Sequence, residues 1–311
     1  MKVLTVGETM ALLDPSGDGP LAAGASLVLR VAGAESNFAI ALSRLGVEAA
    51  WVSRLGRDAL GDVVFDTLAR EGLDLRGVRR DATARTGVFF KWRSGGRSHV
   101  LYHRSGSAAS RLEPADVPDE ALDGVALVHL TGITTALSES ARALVVDLAR
   151  RAAARGITVL FDPNWRPALW PRPADAAAAQ REVLPYVDWY LCGSEEGKLL
   201  LGTVTDEETL EAARALGAAD AVVRVGARGA LVRADGGVRE VAPRRPARVL
   251  DEVGAGDAFA GGFAYGLLHG WPPDECASSG NVIAAAALAG TGDWETLPRL
   301  EDVRDDIGPR G

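Results

Sequence analysis

"DEVGAGDAFAGGFAYGLL", residues 251–268, sets a glycine-rich turn directly against a run with helical apolar spacing. Gly254 and Gly256 permit close approaches and backbone conformations that a Cβ would block. A turn that feeds a helix in this way leaves the first N–H groups unpaired at the positive end of the helix dipole, which makes an anion site. One acidic residue, Asp257, stands among those bare N–H groups. A carboxylate there either stabilises the dipole, by about 0.3–1 kcal/mol, or acts as a general base beside the anion that the N–H groups hold. The stretch alone leaves both roles open.

Upstream of this turn, short apolar runs alternate with longer amphipathic ones. Residues 2–6, 49–53, 126–130, 157–161, 188–192 and 221–225 read as buried strands, and 35–45, 59–71, 138–155, 174–184 and 205–216 as helices. That alternation predicts an α/β fold, an open sandwich whose mostly parallel sheet is covered by helices on both faces. Two patches break the rhythm. Residues 14–31 and 85–103 alternate around glycine turns, the second with its turn at Ser94-Gly95-Gly96. The expectation is a single domain over 1–311 with a discontinuous β lid formed by about 10–34 and 85–110.

A net charge of −8 gives no electrostatic footprint for nucleic acid, and no stretch reaches the length of a membrane span. The N-terminus enters a strand-like run without a leader pattern, and Cys192 and Cys276 lie far apart without metal spacing, which reads as a cytoplasmic protein with reduced cysteines. No G-x-x-x-x-G-K-[ST] occurs, so a P-loop is excluded, and Phe259 stands where a dinucleotide fingerprint needs a small residue. A phosphoryl group in transfer suits the turn at 254–257 better than a hydride carrier does.

On this stretch the chain resembles the phosphofructokinase B family of ribokinase-like carbohydrate kinases. A second segment, "AGAESNFAIALSRLG" (32–46), is similar to the family's Gly-Gly-x-x-x-Asn signature through Gly33 and Asn37. The resemblance implies a three-layer sandwich with a small β-sheet lid, ATP and Mg²⁺, and phosphorylation of a sugar hydroxyl. It makes Asp257 the catalytic base and the backbone of Gly254, Ala255 and Gly256 the anion hole. It also implies nucleotide contacts at Asn164, Arg224, Gly226, Gly229, Asn281 and Ala284, together with Gly254 and Gly256. Glu196 matches the acidic position linked to magnesium, although Gly193 replaces the asparagine that precedes it in the family. Asp251 either orients Mg²⁺ or caps a turn.

A narrower resemblance, to 2-keto-3-deoxygluconate kinases, rests on "LYHRSGSAAS" (101–110), "HLTGITTALS" (129–138) and "FDPNWRPALW" (161–170). It implies a substrate site at Gly33, Ala34, Asn37, Phe89, Tyr102, Arg104, Ile133, Arg166 and Asp257, with Phe89 standing where related kinases carry a tyrosine. The residues support it independently. Tyr102 and Arg104 share one face of a strand, and Asp162, Asn164 and Arg166 follow a strand's C-terminal end, where open α/β sheets bind ligands. Two arginines in one pocket suit a substrate carboxylate. Another sugar kinase of the same fold, acting on fructose, ribose or 5-keto-2-deoxygluconate, and a non-catalytic sugar or nucleotide sensor are the alternatives. The open edges and apolar face of the lid predict a homo-oligomer formed through it.

Overall fold

The structure, a computed structural model of the chain, describes residues 1–15, 19–95, 97–234, 236–246, 248–250, 253–290 and 292–308. Gly96 of the expected hairpin turn and Asp251 lie outside the described residues. The strands are β1 (Lys2–Val6), β2 (Met10–Pro15), β3 (Leu27–Ala32), β4 (Glu48–Gly56), β5 (Val78–Asp81), β6 (Val88–Ser94), β7 (Arg97–His103), β8 (Val125–Thr131), β9 (Thr158–Asp162), β10 (Trp189–Gly193), β11 (Asp220–Arg224), β12 (Ala230–Ala234) and β13 (Gly237–Val241). The helices are α1 (Ala34–Arg44), α2 (Ala59–Arg70), α3 (Gly132–Leu137), α4 (Glu139–Ala154), α5 (Pro173–Val183), α6 (Ser194–Leu201), α7 (Asp206–Ala215), α8 (Ala255–Leu268), α9 (Pro273–Leu288) and α10 (Leu300–Val303).

Nine strands form the main sheet in the order β13-β12-β11-β10-β9-β8-β1-β4-β5. From β5 to β11 every pair is parallel, and β12 and β13 close the far edge as antiparallel strands. Parallel strands covered on both faces must be apolar throughout, and β9 and β10 meet that demand with Val159, Leu160, Phe161, Tyr190 and Leu191 all buried. One face packs α1, α2, α8 and α9 around Phe38, Trp51, Val64 and Phe263. The other packs α4 and α7 around Leu144, Leu148, Phe161 and Leu210. Helix starts follow local chemistry: Asp58, Ser138 and Thr205 each accept a hydrogen bond from the N–H three residues on, at Gly61, Ala141 and Glu208.

The expected lid is a separate four-stranded sheet in the order β3-β2-β6-β7. The parallel pairing of β2 with β6 joins its two halves, and Phe89 faces Tyr102 across the β6–β7 hairpin. The helices and strands anticipated from periodicity recur within one to three residues at each end. Not anticipated were β5, α3, α6, α9, α10 and the β12–β13 hairpin. The short helices α3 and α6 have 6 and 8 residues, too few for a 3.6-residue period to declare itself. Strand β5 is a four-residue edge rich in charge, and β13 is an edge strand exposed over most of its length.

Candidate active site

The C-terminal ends of β1, β8, β9, β10 and β11 form one rim of the sheet, and the lid stands beside it. The rim receives the N-terminus of α8. Gly254 caps that helix at φ 82°, a left-handed conformation, and a Cβ there would collide with the carbonyl oxygen of Asp293. Ala255, Gly256 and Asp257 make the first turn. Their N–H groups have no acceptor within the helix, as at any helix start.

Asp257 is buried, with 7% of its surface exposed, at the wall of a cavity between the rim and the lid. Asn37 Nδ2 donates to its Oδ2 at 2.9 Å and Asn164 Nδ2 to its Oδ1 at 3.0 Å. Burial pushes the carboxyl up to about 7, against the two amide donors and the Arg166 charge, with Asp162 adding to the rise. A carboxyl poised near neutrality suits a general base.

Asn37 is delivered by α1, whose start requires Gly33. The φ of −173° there is ordinary extended backbone, but a Cβ would collide with the carbonyl oxygen of Glu8. Asn164 follows β9. Its N–H donates to Asp162 Oδ1 at 2.9 Å, and Asp162 in turn receives Arg224 through Nη1 at 2.6 Å and Nη2 at 3.2 Å. Arg224 Nη1 also donates to the Gly256 carbonyl at 3.1 Å.

Two cavities meet at this turn. The first, of about 460 Å³, lies between the rim and the lid. Gly33, Ala34, Asn37, Phe89 and Tyr102 line it, as do Arg104, Ile133, Arg166 and Asp257, so the structure brings together all nine residues anticipated for the substrate. The second, of about 690 Å³, is lined by Arg224, Gly226, Gly229, Asn281 and Ala284, along with Ala255, Phe259 and Leu288. Arg224 and Gly256 line both. Two residues expected at the nucleotide, Gly254 and Asn164, line the first cavity and not the second; the chain after β9 turns Asn164 toward Asp257, and Gly254 adjoins Ala255 of the second cavity.

Seven residues of the first cavity were not anticipated: the apolar Met10, Ala32 and Val100, together with Glu8, Lys91, Val253 and Asp293. Glu8, which follows β1, accepts from Arg104 Nε at 2.7 Å and from the Ser107 hydroxyl, and is itself buried. Lys91 on β6 is ion-paired with Asp293 at 3.3 Å. Val253 completes the set beside Gly254. The strand-end rule that singled out Asp162 applies equally to Glu8 and would have found it; nothing local marks Lys91 or Asp293, which are 202 positions apart. The picture of two free arginines therefore changes. Arg104 is neutralised by Glu8, and of the cations lining this cavity Arg166 alone forms no ion pair among the described residues.

Glu196 lines the first cavity beside Arg224, 3.8 Å away, and accepts from the N–H groups of Gly193, at 3.0 Å, and Trp165. Burial raises its carboxyl, and Asp162 adds to this. Among the described residues no three His, Cys, Asp or Glu side chains converge as a metal-binding group. A Mg²⁺ ion fits such a site only if nucleotide phosphates and water supply most of its ligands, which is the coordination it favours. His129 is a packing residue, stacked on Phe38 at 3.8 Å, and burial lowers it to about 3. Both cysteines are free and buried. No helix among the described residues is long and apolar enough to cross a membrane.

A buried carboxylate at a helix start, set where a sugar-sized cavity meets a larger one, is the equipment of a small-molecule kinase of open α/β fold. The chain belongs to the pfkB family of carbohydrate kinases, whose model matches residues 1–300, and it is an ATP-dependent sugar kinase. It is 34% identical to the 2-dehydro-3-deoxygluconokinase of Bacillus subtilis (strain 168), with 97% of this chain and 94% of the relative covered. It is 36% identical to the enzyme of the same name from Thermoproteus tenax, over 98% and 94%, and 35% identical to the 2-dehydro-3-deoxygalactonokinase of Haloferax volcanii, over 94% and 92%. Among solved structures, a PfkB protein from Polaromonas sp. JS666 superposes with a TM-score of 0.88 at 38% identity, covering 97% of this chain and 99% of that one. A putative ribokinase II from E. coli in complex with ATP and Mg²⁺ superposes with a TM-score of 0.88 at 25% identity, covering 98% of each.

Proposed function

We propose that the chain transfers the γ-phosphoryl group of ATP to the 6-hydroxyl of 2-keto-3-deoxygluconate (2-dehydro-3-deoxygluconate), giving the 6-phosphate and ADP. The observation that carries this is the position of Asp257 at the junction of two cavities that share Gly256 and Arg224. The sugar acid occupies the first cavity, with Arg166 as the cation for its carboxylate and the amide oxygens of Asn37 and Asn164, buried and without partners among the described residues, as acceptors for its hydroxyls. ATP occupies the second, with its γ-phosphate at the start of α8.

Asp257 takes the proton of the attacking hydroxyl as the new O–P bond forms and the bond to the ADP oxygen breaks. The N–H groups of the 254–256 turn hold the charge on the transferring group. Mg²⁺ would be held chiefly by the phosphates with Glu196 as the protein carboxylate, and it supplies charge neutralisation across them. The lid limits water at the reacting atoms, and with it ATP hydrolysis.

ADP release with Mg-ATP tests the reading across a panel of 2-keto-3-deoxygluconate, its galactonate epimer, 5-keto-2-deoxygluconate, gluconate, fructose and ribose. A kcat/KM highest for the first compound is expected. Preference for the epimer would move the assignment to the activity named for the Haloferax volcanii relative, and preference for a neutral sugar would remove the role given to Arg166.

The same reading includes a cytoplasmic homo-oligomer joined through the lid. Leu27, Val28 and Leu29 on β3 and Val100 and Leu101 on β7 are exposed, on the two edge strands of the small sheet. Light scattering at micromolar concentration checks this, and a monomer would overturn it.

A further inference from the structure

Asn164 has a φ of 41°, the one positive value outside glycine among the described residues. Left-handed backbone at a residue with a side chain persists where its surroundings impose it, and such positions concentrate at functional sites. Here the surroundings are specific. The Asn164 N–H is held by Asp162, Asp162 is held by two nitrogens of Arg224, and Arg224 reaches on to the Gly256 carbonyl in the first turn of α8. The Asn164 side chain returns to the same turn by donating to Asp257. The loop after β9 and the start of α8 are thus joined twice, once through Arg224 and once through Asn164.

We propose that Arg224, Asp162 and Asn164 form a brace that sets Asp257 for proton transfer and couples its placement to occupancy of the nucleotide cavity, which makes Asp162 and Asn164 positioning residues of the reaction. This rests on the reading of Asp257 as the base. Arg224 lines both cavities, so a phosphate that draws on its guanidinium acts on Asp162, and through it on the backbone that aims the Asn164 amide. Asn37, on α1, holds the second carboxylate oxygen with no link to Arg224 among the described residues and so lies outside the brace.

The brace has a signature that mere structural support lacks. The charged groups around Asp257 are Asp162 and Arg166 flanking Asn164, Arg224 on β11, Glu196 on α6, and the Lys91–Asp293 and Arg104–Glu8 pairs at the lid. Within this set the Asn164 amide favours the ionised form of Asp257, whereas the charge of Asp162 opposes it. Removing one or the other moves the acid limb of the rate profile in opposite directions.

The experiment is the pH dependence of kcat at saturating sugar acid and Mg-ATP for the parent, Asn164→Gly, Asp162→Asn and Asp257→Asn, with thermal unfolding of each. Glycine suits the backbone at 164, so Asn164→Gly folds, and a purely structural role predicts a lower Tm with an unmoved limb. The brace predicts that its kcat falls about tenfold or more and that its limb moves up by about one pH unit. Asp162→Asn is expected to move the limb down and to raise the KM for ATP. An unmoved limb in Asn164→Gly, with Asp257→Asn inactive, overturns the brace and leaves the base standing. Near-parental turnover by Asp257→Asn overturns the base itself, and the brace with it.

Discussion

Arg104 donates through Nε to Glu8 at 2.7 Å, and both side chains are buried where the lid leaves the main sheet. The pair separates two arginines that look equivalent in sequence. Arg104 is committed to Glu8, whereas Arg166 forms no ion pair among the described residues. Arg166→Ala is therefore expected to raise the KM for the sugar acid about 10- to 100-fold, the worth of a hydrogen bond between charged groups, with little change for a neutral acceptor. Arg104→Ala strands a buried carboxylate and is expected to cost about 3–5 kcal/mol of stability. Steady-state kinetics with thermal unfolding separates the two; equal KM penalties without a loss of Tm in Arg104→Ala would reverse the assignment.

Asp257→Asn is expected to fold and to lose about 10²-fold or more in kcat. It is also expected to be the more stable protein at alkaline pH. Asp257 binds its proton more tightly in the folded state, at about 7, than its ordinary value of 3.8. Its stabilising contribution is therefore full below about pH 4 and is lost as pH rises through about 7. The whole effect is bounded by about 4 kcal/mol, for about three pH units at about 1.4 kcal/mol each. Unfolding at about pH 5 and pH 8.5 checks it: the Tm advantage of the variant must grow with pH.

The parental kcat is expected to rise through about pH 7 and level off above it, because the base acts only when ionised. A rate profile flat from pH 5.5 to 8.5 would mean that burial does not govern this carboxyl.

Gly254→Ala and Gly256→Ala should differ in kind. At 254 the added Cβ meets the Asp293 carbonyl on left-handed backbone, so about 2 kcal/mol or more of stability is expected to go along with activity. At 256 it would stand 3.3 Å from Arg224 Nη1, which a small shift of the guanidinium accommodates. There kcat is expected to fall while Tm changes little, and comparable Tm losses in both would contradict this.

Much of the sandwich was legible because parallel strands and their helices are long, periodic and locally consistent. The β6–β7 hairpin was legible from its glycine turn, and Asp257 from the helix start it occupies. Glu8 was open to the same strand-end rule as Asp162, but the Lys91–Asp293 pair was not visible, since an ion pair between distant positions leaves no pattern along the chain. Asn164 was visible as a strand-end residue, but which cavity it would enter was not, because its direction depends on one backbone angle held by Asp162 and Arg224.

The amino-acid sequence by itself determined the layered α/β fold, the glycine turn at the start of α8 and the residues that gather around the first cavity, because each follows from local periodicity, glycine geometry or a signature carried whole within a short stretch. Only the tertiary structure decided which charges are spent on one another and which remain for a ligand. Arg104 and Arg166 differ through Glu8, 96 residues from Arg104, and Asp257 acquires its raised pKa from burial between Asn37 and Asn164, 220 and 93 residues away. Burial and pairing are properties of the packed chain, and electrostatic free energy depends on both.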